Sequence, residues 1–119
     1  MATLELDADN FQSTISGNAT VIIDFWAPWC APCRAFAPTF DEMSEKKPDL
    51  IFAKVNTEEQ TEIAAAFDIR SIPTLMIFRD QIIIYSEAGS LPASAFEQLI
   101  DQAMALDMDA VRTEIAGQA

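Results

Sequence analysis

The sequence predicts an α/β domain, a mixed β-sheet with helices on both faces. Two patterns point there. Short apolar runs alternate with segments of helical period through the first part of the chain, as in parallel strands joined by helical crossovers. Two β-rich runs then follow each other with only a few polar residues between them, which reads as an antiparallel hairpin. The chain has 119 residues, 50% of them hydrophobic, which suits one domain with a core of its own.

The elements read in the order β-α-β-α-β-α-β-β-α. Residues 3–6 form a short first strand. Phe11 and Ile15, four apart, mark a brief helix ending at Gly17. Val21-Ile22-Ile23-Asp24-Phe25 is an apolar run suited to a buried central strand. Residues 31–47 read as a helix with Phe36, Phe40 and Met43 on one face. Pro38 lies inside it, removes a backbone donor and should kink it. Residues 50–55 read as a strand. Thr57-Glu58-Glu59-Gln60 matches a capping box, predicting a helix from there to about Phe67. Residues 75–78 and 82–85 make the hairpin, although Asp80-Gln81 matches the favoured turn pairs poorly. Pro92 suits a first helical turn. Phe96, Leu99, Ile100 and Ala103 continue at helical spacing.

A further helix is expected near the C-terminus, capped by Asp107-Met108-Asp109 and running to about Ala116. Met104, Met108, Val111 and Ile115 recur at intervals of four, three and four. Such a helix either packs on its own domain or meets a second copy or a partner.

Composition excludes several classes of function. Seven basic against 19 acidic residues leave a net charge of −12, which repels nucleic acid and anionic membrane surfaces. The longest apolar runs fall far short of the ~20 residues of a membrane span. The first residues, Met1-Ala2-Thr3-Leu4-Glu5-Leu6-Asp7, lack the basic-then-apolar pattern of a signal peptide. A cytoplasmic setting is therefore expected, where a lone cysteine pair points to catalysis or metal binding rather than to a structural staple.

The pair lies in Trp29-Cys30-Ala31-Pro32-Cys33, which holds both cysteines of the chain. Helical spacing puts positions i and i+3 on one face at Cα distances of about 5 Å, within reach of a disulfide. Cys30 sits where the helix begins, where unpaired N–H groups and the positive end of the dipole favour a thiolate. Cys33 lies one turn inside. Cys30 is thus expected to attack a target disulfide and Cys33 to resolve the mixed disulfide. Pro32 starts the helix without wasting a donor, and Ala31 leaves room for a target. Zinc fits poorly, because the chain has no histidine and no second cysteine pair. A structural bridge fits poorly too, since so short a loop confines little chain entropy.

Three further residues invite two readings each. Asp24 interrupts an apolar strand on the face of Ile22 and Trp26. Buried, it would favour its neutral form and could take a proton from Cys33; otherwise it reaches water or Lys54. Pro73, after Ile72, is either a turn element or a cis peptide placed for function. Trp29 is either core or contact surface, and its place beside Cys30 suits contact.

Together, the run from Asp24 through Trp29 and Cys30 to Arg34, then Pro38, then Ile69-Arg70-Ser71-Ile72-Pro73-Thr74-Leu75, and later Gly89, resembles the thioredoxin family from the first strand to about Leu106. The resemblance implies a five-stranded mixed sheet flanked by four helices over residues 1–106, leaving 107–119 as a C-terminal helical extension. It implies a protein-disulfide reductase that binds no cofactor beyond its redox-active Cys30–Cys33 disulfide. Its electrons would come from NADPH through thioredoxin reductase, and its other partners would be disulfide-containing client proteins. Position by position, it makes Cys30 the nucleophile, Cys33 the resolving thiol and Asp24 the buried aspartate that assists it. Lys54 becomes the lysine near that aspartate and Pro73 a cis-proline facing the disulfide. Trp29, Ile72 and Gly89 become the rim that docks substrates.

Two departures from the family pattern are visible. Ala31 stands where glycine is usual, and the Ala31-Pro32 dipeptide tunes redox poise. Asp80-Gln81 lacks the glycine common in the late hairpin turn. The absence of histidine between the cysteines argues against strongly oxidising relatives. The competing functions are a non-catalytic binding or scaffold module and a disulfide oxidase or isomerase.

Overall fold

The structure, a computed structural model, describes residues 2–117. Met1, Gln118 and Ala119, the ends of the expected domain and extension, lie outside the described residues.

Five strands form one sheet in the order β1-β3-β2-β4-β5: β1 (Thr3–Glu5), β2 (Thr20–Trp26), β3 (Ile51–Asn56), β4 (Thr74–Arg79) and β5 (Ile82–Ala88). β3 pairs parallel with both β1 and β2, whereas β4 runs antiparallel to β2 and β5. The sheet is therefore mixed, as the alternation and late hairpin predict. β2 lies at its centre and is buried from Thr20 to Phe25, which is why its sequence reads as a continuous apolar run rather than an alternating one.

Five helices accompany the sheet: α1 (Phe11–Ser16), α2 (Ala31–Lys46), α3 (Thr61–Ala66), α4 (Ala93–Ala105) and α5 (Met108–Gly117). The two faces of β2 feed separate clusters. Ile22 packs with Phe36 and Phe40 of α2, Phe52 of β3, and Phe96 and Ile100 of α4. Val21, Ile23 and Phe25 pack with Ile15 of α1, Ala53 and Val55 of β3, and Phe78 of β4. Four phenylalanines interlock on the α2–α4 side, with Phe40 5.4 Å from Phe52 and 5.9 Å from Phe96 between ring centroids. Offset and edge-on pairs of this kind add to the burial of the rings themselves. Asp24 alternates onto the Ile22 face and is 1% exposed.

Several local expectations change. The capping box at residues 57–60 does not form, and α3 begins only at Thr61, without a side-chain cap. The carbonyl of Asn56 accepts the N–H groups of Glu59 and Gln60, and its side-chain oxygen accepts that of Glu58, so a turn takes the place of a first helical turn. Thr57 donates its hydroxyl to the Trp26 carbonyl instead. Pro92 precedes α4 rather than opening its first turn; its backbone is extended and its carbonyl receives the Phe96 N–H. Pro38 lies inside α2, as expected, and the helix continues past it to Lys46. At the hairpin, Asp80 and Gln81 both take positive φ, 52° and 68°. A two-residue turn matched to strand twist needs that conformation, here adopted without glycine.

The C-terminal cap forms as expected. Asp107 Oδ1 accepts the N–H groups of Asp109 and Ala110. Of the apolar repeat, Met108 is buried, Val111 is half-buried, and Met104 and Ile115 are exposed. Arg79 of β4 donates through Nη1 to the carbonyls of Ala103, Met104 and Leu106 at the end of α4. Arg112 of α5 pairs with Asp80 of the hairpin turn.

Candidate active site

β2 ends at Trp26, and the chain turns once before α2 begins at Ala31. Cys30 is the residue capping α2, with extended backbone. Its sulfur accepts the backbone N–H of Cys33 at 3.2 Å. Cys30 and Cys33 are joined as a disulfide across a Cα separation of 5.2 Å, as their spacing predicts. Both are buried, at 5% and 2% exposure, with Cys33 the more enclosed. Once the bond opens, the free N–H groups and dipole of a 16-residue helix face Cys30 and favour negative charge there.

Around the pair stands a rim from distant parts of the chain. Trp29 is 65% exposed, so it belongs to the surface and not to the core. Its indole N–H donates to Glu58, in the turn after β3. Arg34 donates to the Pro28 carbonyl at 2.8 Å, closing the loop that carries Trp29. On the opposite side, the Ile72 carbonyl oxygen lies 3.7 Å from Cys30 Sγ. The Ile72–Pro73 peptide is cis, the second of the two readings open at that proline. Gly89 donates its N–H to the Pro73 carbonyl at 2.8 Å. Its φ of +113° is one that side chains rarely adopt, so glycine is needed there. Ala31 and Pro32 are both exposed between the cysteines.

Asp24 lies one strand turn before this loop. Burial pushes its carboxyl up from 3.8 to about 7, with Lys54 pulling it down and Asp41 adding to the rise. Its Oδ1 has no hydrogen-bond partner. Lys54 reaches Asp41 at 3.5 Å, so the alternative pairing of Asp24 with Lys54 is not the one formed. Glu58 and Asp41 are site neighbours that the sequence reading missed. Nothing local marks Glu58, and Asp41 carries only the weak signal of lying eight residues, about two turns, after Cys33.

Among the described residues no group of three or more His, Cys, Asp or Glu could hold a metal. A cleft of about 580 Å³ lies between α1 and α3, lined by Phe11, Ile63 and Phe67 with Glu59 and Glu62. It includes neither cysteine nor the rim around them. The disulfide is nearly covered but lies beside the exposed Trp29, Ala31 and Pro32, a surface that suits a reacting group carried by another macromolecule better than a small molecule that needs enclosure.

A reversible cysteine pair at a helix N-terminus, after the central strand of a mixed sheet, defines a thiol–disulfide oxidoreductase. The model of the family described as thioredoxin matches residues 2–102. The chain is 50% identical over 117 residues to a putative thioredoxin 2 of Streptomyces coelicolor, covering 98% of this chain and 87% of that one. It is 39% identical over 103 residues to thioredoxin 1 of Synechococcus elongatus, covering 86% and 96%. A solved structure of Plasmodium falciparum thioredoxin superposes with a TM-score of 0.78 at 33% identity, covering 83% of this chain and 97% of that one. The chain belongs to the thioredoxin family and has its fold. With its Cys-x-x-Cys pair it is a protein-disulfide reductase working by dithiol–disulfide exchange. Family membership implies a reductase and disulfide-bearing substrates as partners in general. No helix among the described residues is long and apolar enough to cross a membrane.

Proposed function

We propose that Cys30 is the attacking thiol, Cys33 the resolving thiol and Asp24 the proton acceptor for Cys33. The observation that carries this is the Cys33 N–H aimed at Cys30 Sγ where α2 begins. In the reduced protein the Cys30 thiolate attacks one sulfur of a client disulfide. A mixed disulfide forms and the first client thiolate leaves. Cys33 passes its proton towards Asp24, and its sulfur attacks Cys30 Sγ. The Cys30–Cys33 bond closes and the second client thiolate leaves, so two electrons have passed to the client.

Trp29, Ile72, Pro73 and Gly89 form the docking rim, which is exposed at Trp29 and close to sulfur at Ile72. Ala31, Pro32 and Lys54 tune the pair. Recharging requires two electrons and two protons; NADPH supplies the electrons and one proton as hydride, through a thioredoxin reductase, and solvent supplies the second proton. A reducing cytoplasm is the compartment in which such a cycle runs towards reduction.

Insulin reduction tests the assignment. Cys30→Ser abolishes turnover. Cys33→Ser still attacks, cannot resolve, and accumulates a mixed disulfide visible by intact mass. Mixed-disulfide capture by Cys30→Ser but not by Cys33→Ser would reverse the two roles.

A further inference from the structure

β2 and β3 place Asp24 and Lys54 directly opposite each other in register. A lysine beside a buried carboxylate is the natural partner for it, yet the ammonium goes elsewhere. Lys54 Nζ lies 3.5 Å from Asp41 Oδ1, an ion-pair distance. On its way it stands 5.9 Å from the Trp26 ring centroid and 5.8 Å from that of Phe40. The Phe40 ring and the Asp41 carboxylate, both on α2, together with the Trp26 ring at the end of β2, thus hold the cation. Asp24 Oδ1, on the strand, is left without a hydrogen bond; Asp41 Oδ1 has none either and is engaged by the ion pair with Lys54 alone.

The charged groups converging here come from three elements: Asp24 from β2, Lys54 from β3, and Asp41 from α2, the helix that also carries Cys33. β4 contributes apolar Leu75 opposite Asp24. Two carboxylates therefore compete for a single ammonium. An ammonium at close range would stabilise the Asp24 carboxylate and weaken it as a base. Asp41 opposes that outcome by engaging the ammonium and by its own negative charge.

We propose that Asp41 is a positioning residue for disulfide exchange: it anchors the Lys54 ammonium on α2 and so keeps Asp24 free of an ionic partner and able to take a proton. This rests on the reading of Asp24 as proton acceptor for Cys33. Asp41 touches neither client nor sulfur in this role and acts through Lys54.

The test uses the oxidised full-length protein, in which the cysteines do not titrate. The pH titration of the Asp24 carboxyl carbon is followed by NMR in wild type, Asp41→Asn, Lys54→Gln and the double variant. Asp41→Asn lowers the Asp24 midpoint by about one unit, the size of effect expected from a freed neighbouring cation. Asp41→Glu retains most of the wild-type midpoint. In the Lys54→Gln background the Asp41→Asn shift shrinks to less than half. An unmoved midpoint in Asp41→Asn overturns the proposal. So does an equal shift in both backgrounds, because Asp41 would then act by its direct field alone. The pH profile of insulin reduction is the second readout and should move with the NMR midpoint. If the midpoint moves and the rate profile does not, the positioning of Lys54 stands and the role given to Asp24 fails.

Discussion

The sulfur of Cys30 and the carbonyl oxygen of Ile72 lie 3.7 Å apart, although 42 residues separate them in sequence. On the proposed docking rim, a polypeptide bringing a disulfide to Cys30 would pass the backbone at this point. Ile72→Asp places a negative charge beside the sulfur that must become anionic to react. At a range of about 4 Å the repulsion is worth about 1 kcal/mol in water and about 4 kcal/mol near a protein surface. The expected result is a fall of about 10-fold in kcat/KM for insulin reduction at neutral pH, which a stopped-flow assay under limiting insulin measures.

Asp24 makes stability depend on pH. Its folded pKa, about 7, is raised above the unfolded value of 3.8, so the native state binds this proton more tightly than the unfolded chain. Stability is greatest below the unfolded value and falls as pH climbs from about 4 to about 7, after which the loss is complete. At about 1.4 kcal/mol per pKa unit, the rise from 3.8 to about 7 makes the full effect on the order of 4 kcal/mol. Asp24→Asn carries no titrating group, so its advantage over wild type should grow from near zero at pH 4 to that size at pH 8. Urea denaturation of the oxidised proteins at the two pH values measures it. The same variant should slow resolution by Cys33.

Glu58 accepts a hydrogen bond from Trp29, the ring proposed to face the client. Trp29 donates to it from an exposed position, so the bond orders the indole while adding little to stability. Glu58→Ala should lower kcat/KM for insulin by about threefold, as expected for one exposed hydrogen bond of roughly 0.5–1 kcal/mol. The denaturation midpoint should stay unchanged; a matching drop there would mean that Glu58 is structural.

We propose that α5 is an added helix packed on its own domain, not a contact for a second copy or a partner. Met108 is 6% exposed and is the buried anchor of α5, while Arg112 ties the helix to Asp80. Met108→Ala should cost about 2 kcal/mol, the low end for truncating a buried methionine. Deleting residues 107–119 should leave the mass by light scattering that of a single shortened chain. A change of oligomeric state on deletion would point to a contact between copies instead.

What could be read from the sequence follows from how local each cause is. β2 was legible because Val21 to Phe25 are buried on both faces, and no other element competes for so continuous an apolar run. The cysteine pair was legible because its whole geometry fits within one helical turn. Pro73, Gly89 and Ile72 could be placed around it only through the thioredoxin resemblance, since pairing of β4 with β2 and β5 brings them there. Glu58 and Asp41 were missed for the same reason: each acquires meaning only where two elements meet. The capping box failed because Asn56, one residue upstream, claims the turn's N–H groups first. No pattern within residues 57–60 reveals that competition.

Arg79 carries a last consequence. Its guanidinium gathers three carbonyls where α4 ends, groups that a helix terminus otherwise leaves to water. The end of α4 is thereby fastened to β4, a strand of the central sheet, while Arg112 fastens α5 to the turn that follows β4. These helices then do not fray independently. Their amides are expected to open in the same cooperative unit as β4, so that hydrogen exchange followed by NMR should be slow from the heart of the sheet into α4 and α5.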